Sequence, residues 1–161
     1  MISKDFISSQ LNIKAMYRYD YPMPMVTADC VVFRSISQQW HVLLIERKNE
    51  PFAGCWALPG GFVEMEEDLE TAAARELREE TGLTSVHLTQ LQTFSNPQRD
   101  PRGRIITVAF WGIDDSDNPI CGDDDANQAS WFSIEALPQL AFDHNIIIHK
   151  AITTALNNNH Q

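Results

Sequence analysis

The chain has 161 residues, a formal net charge of −10 and an apolar fraction of 43%, which is enough for one domain with its own core. The acidic balance and the lack of a basic stripe argue against a surface that binds nucleic acid. No apolar run approaches membrane-spanning length, no signal peptide is recognisable, and Cys30, Cys55 and Cys121 lack the spacing of a disulfide framework or a zinc site. We therefore expect a cytoplasmic protein with reduced thiols and no membrane partner.

The order of predicted elements along the chain indicates an α/β fold. Residues 1–21 are weakly patterned, and we interpret them as an N-terminal extension of a single domain that covers residues 1–161. Strands are predicted from β-branched and aromatic runs at residues 26–33, 40–46, 56–58, 86–94 and 105–113, and in a segment that ends with Trp131 and Phe132. Helices are predicted after Glu66, from Ser133 to Leu137 and from Asp143 to about Leu156, each near a residue that can cap it. This order predicts a mixed β-sheet sandwiched between helices.

One segment has a spacing that indicates a metal site. It reads Gly61-x5-Glu67-x7-Arg75-Glu76-Leu77-x-Glu79-Glu80-x-Gly82-Leu83. At roughly 100° per residue, Glu76 and Glu80 project from nearly the same side of a helix, and Glu79 lies one step around it. Carboxylates that converge in this way repel each other unless a cation lies between them. Oxygen ligands with nothing softer nearby suit Mg²⁺ or Mn²⁺.

A solvated surface helix rich in Glu and Arg is the simpler interpretation of the same segment. It explains the charges, but it does not explain two glycines, Gly60 and Gly61, placed where the backbone could approach a ligand closely. It also does not explain Arg75, which can pair with Glu79 or reach back towards Glu67. We therefore favour the metal site.

The segment is the Nudix box without a departure at any fixed position, so the chain is identified as a member of the Nudix hydrolase superfamily. Residues 96–104 and 141–144 resemble a narrower group in which the Nudix domain recognises ADP-ribose. That group contains free-standing ADP-ribose pyrophosphatases and the ligand-sensing domain of the Nudix-related transcriptional regulators of NAD metabolism, the NrtR family. The resemblance to the sensor domain extends from Tyr19 to about Ala155. Many NrtR domains have damaged boxes, whereas the box of this chain is intact.

The resemblance also implies roles for the residues of the box. Glu76, Glu79 and Glu80 match the metal-binding positions, and Gly61 matches the position whose backbone approaches metal and phosphate. Arg75 matches the arginine that orients the glutamates, so these three glutamates and Arg75 are the catalytic candidates if the chain is active. Either Glu79 or Glu80 could accept the proton of the attacking water.

The substrate-binding candidates lie mostly outside the box: Arg47, Gly61, Phe62, Arg99, Asp100 and His144. The arginines could hold a diphosphate or stack on adenine, or they could be solvated loop charges, and for Arg102 we favour the solvated loop. Asp100 could accept from a ribose hydroxyl or begin a tight turn over residues 100–103. For His144 a structural role is favoured over ligand contact.

Other aromatic and acidic residues are assigned to the core and to solvent. Phe62, Phe94 and Trp111 could enclose adenine, but aromatic residues at strand positions more often lie in the core. The acidic run Asp123–Asp125 is interpreted as a solvated loop, not as a second metal site.

Two functions remain open from the sequence. The first is a ligand-sensing domain of a homodimeric repressor of NAD metabolism, which would bind ADP-ribose here and DNA only through a module outside this chain. The second is a free-standing Mg²⁺-dependent ADP-ribose pyrophosphatase that gives AMP and ribose 5-phosphate. The intact box favours the enzyme, and the resemblance over the whole chain favours the sensor.

Overall fold

The computed structural model describes residues 18–121 and 126–156. The strands are β1 (Met25–Ile36), β2 (Gln39–Arg47), β3 (Trp56–Ala57), β4 (Gly60–Phe62), β5 (Thr89–Phe94), β6 (Ile105–Ile113) and β7 (Ala126–Ser133). The helices are α1 (Leu69–Thr81) and α2 (His144–Ala155). Neither helix has the length and apolar character of a membrane span.

The strands form one mixed sheet. The order is β3-β2-β1-β6-β5, with β4 paired to β1 and β7 paired to β2. β1 and β6 are parallel, in a register that places Thr27 beside Thr107, and the other pairs are antiparallel. β1 is therefore a central strand, and its first residues lie next to both β4 and β6.

Each face of the sheet is covered by one helix, as the sequence predicts. Successive residues of a strand point to opposite faces, so Val32 packs in the core on the α1 side and Val31 packs in the core on the α2 side. Leu77 and Ile147 contribute from the two helices, and both are buried. The α/β sandwich is thus confirmed.

Some predicted elements differ from the structure. The predicted helix from Ser133 to Leu137 is wrong: the chain makes a turn there, and the Ser133 hydroxyl accepts from the Glu135 backbone N–H at 3.3 Å. β5 begins at Thr89 instead of residue 86, and β4 was not predicted. Most of the N-terminal extension, residues 1–17, and the run Asp123–Asp125 lie outside the described residues, so the extent of the domain stays a prediction.

Candidate functional site

Helix α1 begins and ends at residues suited to those positions. The Asp68 carboxylate accepts from the Thr71 backbone N–H at 2.8 Å and so caps the first turn. The predicted end at Gly82 is confirmed: Gly82 has φ of 75° and its N–H donates to the Arg78 carbonyl. Glycine adopts this left-handed conformation without steric cost. These caps fix where the carboxylates of the second half of α1 project.

Arg75 is at the centre of the acidic cluster. Its Nε and Nη2 donate to the two Glu67 carboxylate oxygens at 3.0 and 2.6 Å. Its Nη1 donates to Glu76 at 2.7 Å and to Glu79 at 3.2 Å, and its Nη2 also reaches the Phe62 carbonyl at 3.1 Å. The hydrogen bonds from Arg75 lower the pKa of Glu67 to about 2. Arg75 therefore holds three carboxylates in place, which agrees with the orienting role implied by the resemblance.

The glycines of β4 lie against two of the box glutamates. A Cβ at Gly61 would lie 2.6 Å from Glu76 Cδ, so only glycine leaves room for that carboxylate. The Gly60 N–H donates to the Glu80 carboxylate at 2.8 Å. Burial raises the pKa of Glu76, although Arg75 opposes the shift. The backbone of β4 thus lies very close to the carboxylates of Glu76 and Glu80.

The box provides suitable donors for a hard cation. Within residues 18–121 and 126–156, no three His, Cys, Asp or Glu side chains are already arranged as a metal-binding group. Arg75 is paired with both Glu76 and Glu79. The donor set consists of carboxylate oxygens beside the space that Gly61 leaves, and such ligands fit Mg²⁺ or Mn²⁺. An ionised carboxylate has about four lone-pair sites, so Glu76 and Glu79 can accept from Arg75 and still offer oxygen ligands to a metal ion.

Beside the box lies a cleft in two parts. The inner chamber, of about 110 Å³, extends between the starts of β1, β6 and α2, and the outer groove, of about 670 Å³, extends along β4 and α1. Both are lined by Gly60, Gly61, Phe62, Glu80 and Arg102. A ligand that bridged the two parts would therefore pass directly over the box residues.

Arginine and aromatic side chains form the wall opposite α1. The Arg102 guanidinium lies 5.2 Å from the Phe62 ring and 5.0 Å from the Phe142 ring. Both Asp100 carboxylate oxygens accept from this guanidinium, Oδ1 from Nε at 3.0 Å and Oδ2 from Nη2 at 2.7 Å. Arg47 also lies against Phe142, with its guanidinium 4.8 Å from the ring. Planar cations on aromatic faces are a surface on which a nucleotide base or a diphosphate could bind.

The floor of the inner chamber is polar and buried. The Thr107 hydroxyl donates to Asp29 at 2.8 Å and accepts from Arg99 Nη1 at 3.0 Å, and the Thr27 hydroxyl contacts the Thr107 hydroxyl. Arg99 also makes a bidentate pair with Asp143, at 3.0 and 2.6 Å. Burial raises the pKa of Asp29 to about 6, against the opposing effects of the Thr107 hydrogen bond and of Arg99.

The start of α2 closes the chamber. Asp143 occupies the cap position, but its carboxylate makes no capping bond because it is paired with Arg99. His144 Nδ1 accepts from the Leu58 backbone N–H at 2.9 Å. Burial, reinforced by neighbouring arginines, lowers the pKa of His144 to about 3, so the ring is neutral. This geometry agrees with the structural role favoured from the sequence.

The structure brings most of the sequence candidates together. Arg47, Gly61, Phe62, Arg99, Asp100 and His144 all line the inner chamber, as does Glu80. Glu76 lines the outer groove, whereas Glu79 is half exposed and lines neither part of the cleft. Phe94 and Trp111 pack against the core on the α2 side, as favoured from the sequence, but the same core assignment is wrong for Phe62, which is 42% exposed and lines the chamber.

Several residues of the cleft were missed. Arg102 was interpreted as a solvated loop charge, yet it lies in the cleft between two aromatic rings. Thr27, Asp29 and Thr107 were not considered, and Phe142 was noted only as part of the 141–144 motif, although all four line the inner chamber. Asp29 did carry a signal, since a lone acidic residue within the apolar run of β1 needs a buried partner.

Comparisons with known proteins agree with this geometry. The chain matches the NUDIX domain family over residues 23–152. It is 45% identical over 128 residues to an ADP-ribose pyrophosphatase of Methanocaldococcus jannaschii, covering 80% of this chain and 73% of that protein. It is 35% identical over 158 residues to the ADPR responsive transcriptional repressor NtrR of Acinetobacter baylyi, which covers 96% of this chain but only 63% of the repressor. The NUDIX domain of Shewanella oneidensis NrtR, solved in complex with ADP ribose, superimposes with a TM-score of 0.79 at 30% identity, covering 95% of this chain and 99% of that one.

Proposed function

This chain belongs to the NUDIX family, and we propose that its cleft binds ADP-ribose together with a divalent metal ion, Mg²⁺ or Mn²⁺. The observation that carries the proposal is the continuity of the cleft: Glu76 lines the outer groove, Glu80 and Arg102 line both parts, and Phe142 and the buried polar residues line the inner chamber. A dinucleotide-like ligand needs both parts at once. A nucleoside triphosphate has no second sugar and would make fewer contacts with the buried polar floor of the inner chamber.

The function that we propose first is that of a ligand-sensing domain in a transcriptional repressor. It is supported by similarity to the Acinetobacter repressor over 96% of this chain. The net charge of −10 gives the chain no electrostatic basis for holding DNA. DNA would therefore be bound by a module outside this chain, and ADP-ribose would alter that binding by favouring one of two conformations. A homodimer in the cytoplasm is part of this proposal.

An ADP-ribose pyrophosphatase is the second candidate. It is favoured by the complete box and by the 45% identity to the Methanocaldococcus enzyme. A bound divalent ion would supply Lewis-acid polarisation of the diphosphate, and Glu76, Glu79 and Glu80 would hold it. Water would add to phosphorus and the phosphoanhydride bond would break, releasing AMP and ribose 5-phosphate. Arg75 would keep the glutamates aligned, and Glu79 or Glu80 would take the proton of the water.

Binding and turnover can be measured on one sample. Calorimetric titration with ADP-ribose, ATP and 8-oxo-dGTP in Mg²⁺ should give the tightest binding for ADP-ribose, while AMP release is followed by chromatography. Glu80→Gln should weaken metal-dependent binding, and Glu135→Gln is the matched control because Glu135 is exposed and does not line the cleft. Tighter binding of a triphosphate would contradict the assignment.

DNA binding separates the two candidates. The isolated chain should not shift any operator fragment at fixed salt. The natural full-length protein, if it is a repressor, should bind an operator and release it when ADP-ribose is added. Specific DNA binding by residues 1–161 alone would contradict the division between sensor and DNA-binding module.

A further inference from the structure

The floor of the inner chamber has a chemistry that neither the box nor the arginine wall accounts for. Thr27, Asp29 and Thr107 are between 0% and 6% exposed, and all three line the chamber. They come from the starts of β1 and β6, which the parallel register holds side by side. We call these three residues the polar floor.

The hydroxyl hydrogens of Thr27 and Thr107 are both donated to other members of the polar floor. The Thr107 hydroxyl donates its hydrogen to Asp29, so it can only accept from Arg99 and from Thr27. Thr27 accordingly donates to Thr107. What the floor offers to a ligand is therefore acceptors: the carboxylate of Asp29 and the lone pairs of the Thr27 oxygen.

The nearby cations are engaged elsewhere. Arg99 is paired with Asp143 and Arg102 with Asp100. Among the described residues Asp29 makes no ion pair, and its partner is the neutral Thr107 hydroxyl. A phosphate has no hydrogen to donate when fully ionised and would be repelled by the Asp29 carboxylate. The polar floor instead suits a neutral group that donates hydrogen bonds.

The size of the chamber limits what can reach the floor. At about 110 Å³ it is well below the roughly 300–1,000 Å³ of pockets that enclose drug-sized ligands. It does not hold a whole nucleotide. The hydroxylated edge of a sugar ring is small enough, and it presents two neighbouring donors.

We propose that the polar floor binds the neighbouring hydroxyl groups of the terminal ribose of ADP-ribose, with Asp29 and Thr27 as acceptors and Thr107 as the residue that positions Asp29. This proposal rests on the binding of ADP-ribose proposed above, and it explains which end of the ligand the chamber recognises. The floor selects ligands that end in an unmodified sugar over ligands that end in a phosphate.

The test compares ADP-ribose with ADP, which has the same adenosine and diphosphate but no terminal ribose. Affinities for both are measured by calorimetry in Mg²⁺, with intact ligand verified by chromatography. Asp29→Asn should weaken ADP-ribose about tenfold or more, because hydrogen bonds to a charged group are among the stronger ones, and should leave ADP within about twofold. Asp114→Asn is the matched control, because Asp114 is also a buried acid but pairs with Arg34, away from the cleft.

Three threonine variants keep the test decisive if Asp29→Asn does not fold. Thr27→Val retains the shape and removes one acceptor, so it should also lower the preference for ADP-ribose over ADP. Thr107→Val should do the same, and Thr107→Ser should restore the preference because it keeps the hydroxyl that positions Asp29.

The possible results separate this proposal from the one on which it rests. Failure of the wild-type chain to bind ADP-ribose would contradict the proposed function. Binding of ADP-ribose with an equal loss of ADP affinity in Asp29→Asn would instead assign the floor to the adenosine half. An unchanged preference in all the folded variants would also overturn the proposal for the terminal ribose while leaving ADP-ribose binding intact.

Discussion

The ion pair between Arg99 and Asp143 gives the sharpest stability prediction. The Arg99 side chain is 3% exposed and that of Asp143 is 15% exposed, with 2.6 Å between Nη2 and Oδ1. Arg99→Met removes the guanidinium and leaves the Asp143 carboxylate without its partner. Breaking a buried pair from one side costs about 3–5 kcal/mol. For a chain of this size each kcal/mol shifts the melting temperature by about 2–4 °C, so we expect a drop of roughly 6–20 °C.

The experiment is urea and thermal unfolding of four proteins and one control variant. Besides the wild type these are Arg99→Met, Asp143→Asn and the double variant, whose destabilisation should be clearly smaller than the sum of the single ones because the residues are in contact. Arg78→Met is the control, since Arg78 and Glu79 form an exposed pair and exposed pairs contribute at most about 1 kcal/mol.

Two results would contradict a stabilising role for the Arg99–Asp143 pair. A loss below about 1 kcal/mol in both single variants would show that the pair does not hold the start of α2 to the chamber floor. Strict additivity in the double variant would show that the two residues act separately.

Three further predictions concern the box and the buried histidine. Gly61→Ala should lower Mg²⁺ affinity with little loss of stability, because its Cβ would lie 2.6 Å from Glu76 Cδ and would displace that carboxylate; unchanged Mg²⁺ affinity by calorimetry would contradict a role for Gly61 in making room for a metal-binding Glu76. Glu79→Gln and Glu80→Gln should each weaken Mg²⁺ binding, and unchanged affinity in both would place the metal elsewhere. The His144 pKa falls from 6.5 to about 3 on folding, so its contribution to stability is present above pH 6.5 and is lost as the pH falls towards 3. His144→Gln should therefore flatten that part of the stability profile, and an unchanged slope in urea unfolding would count against a buried neutral ring.

The box was predictable because its information is local. A single helix with known periodicity places Glu76 and Glu80 on one side, and the residues at its ends, Asp68 and Gly82, indicate where it begins and ends. None of this depends on how distant strands pair. The same is true of the tight turn at Asp100, whose carbonyl accepts from the Gly103 N–H at 3.4 Å.

The floor of the chamber was not predictable because it depends on register. Thr27 and Thr107 are neighbours only because β1 and β6 pair in parallel with that alignment, and the sequence carries no local signal for a contact between residues so far apart. Arg102 was misjudged for the same reason: as a turn residue it resembles a solvated charge, and only the folded chain brings Phe62 and Phe142 to it. Asp143 was placed correctly as a cap position, but its carboxylate binds Arg99 instead of the helix.

The two candidate functions depend on different walls of one cleft, so mutation can separate them. Hydrolysis needs the box, where Glu80 accepts from the Gly60 N–H; we therefore expect Glu80→Gln to lower turnover by a larger factor than it lowers ADP-ribose affinity. Sensing needs a contact through which the ligand favours one conformation. We propose Arg99 as that contact, because it joins the chamber floor at Thr107 to Asp143 at the start of α2. In a repressor, Asp143→Asn should weaken the effect of ADP-ribose on operator release while AMP formation, if present, changes less. If Asp143→Asn instead lowers AMP formation in the chromatographic assay and leaves operator release in the gel-shift assay unchanged, the chamber floor serves catalysis. ADP-ribose would then act on the conformation through other contacts.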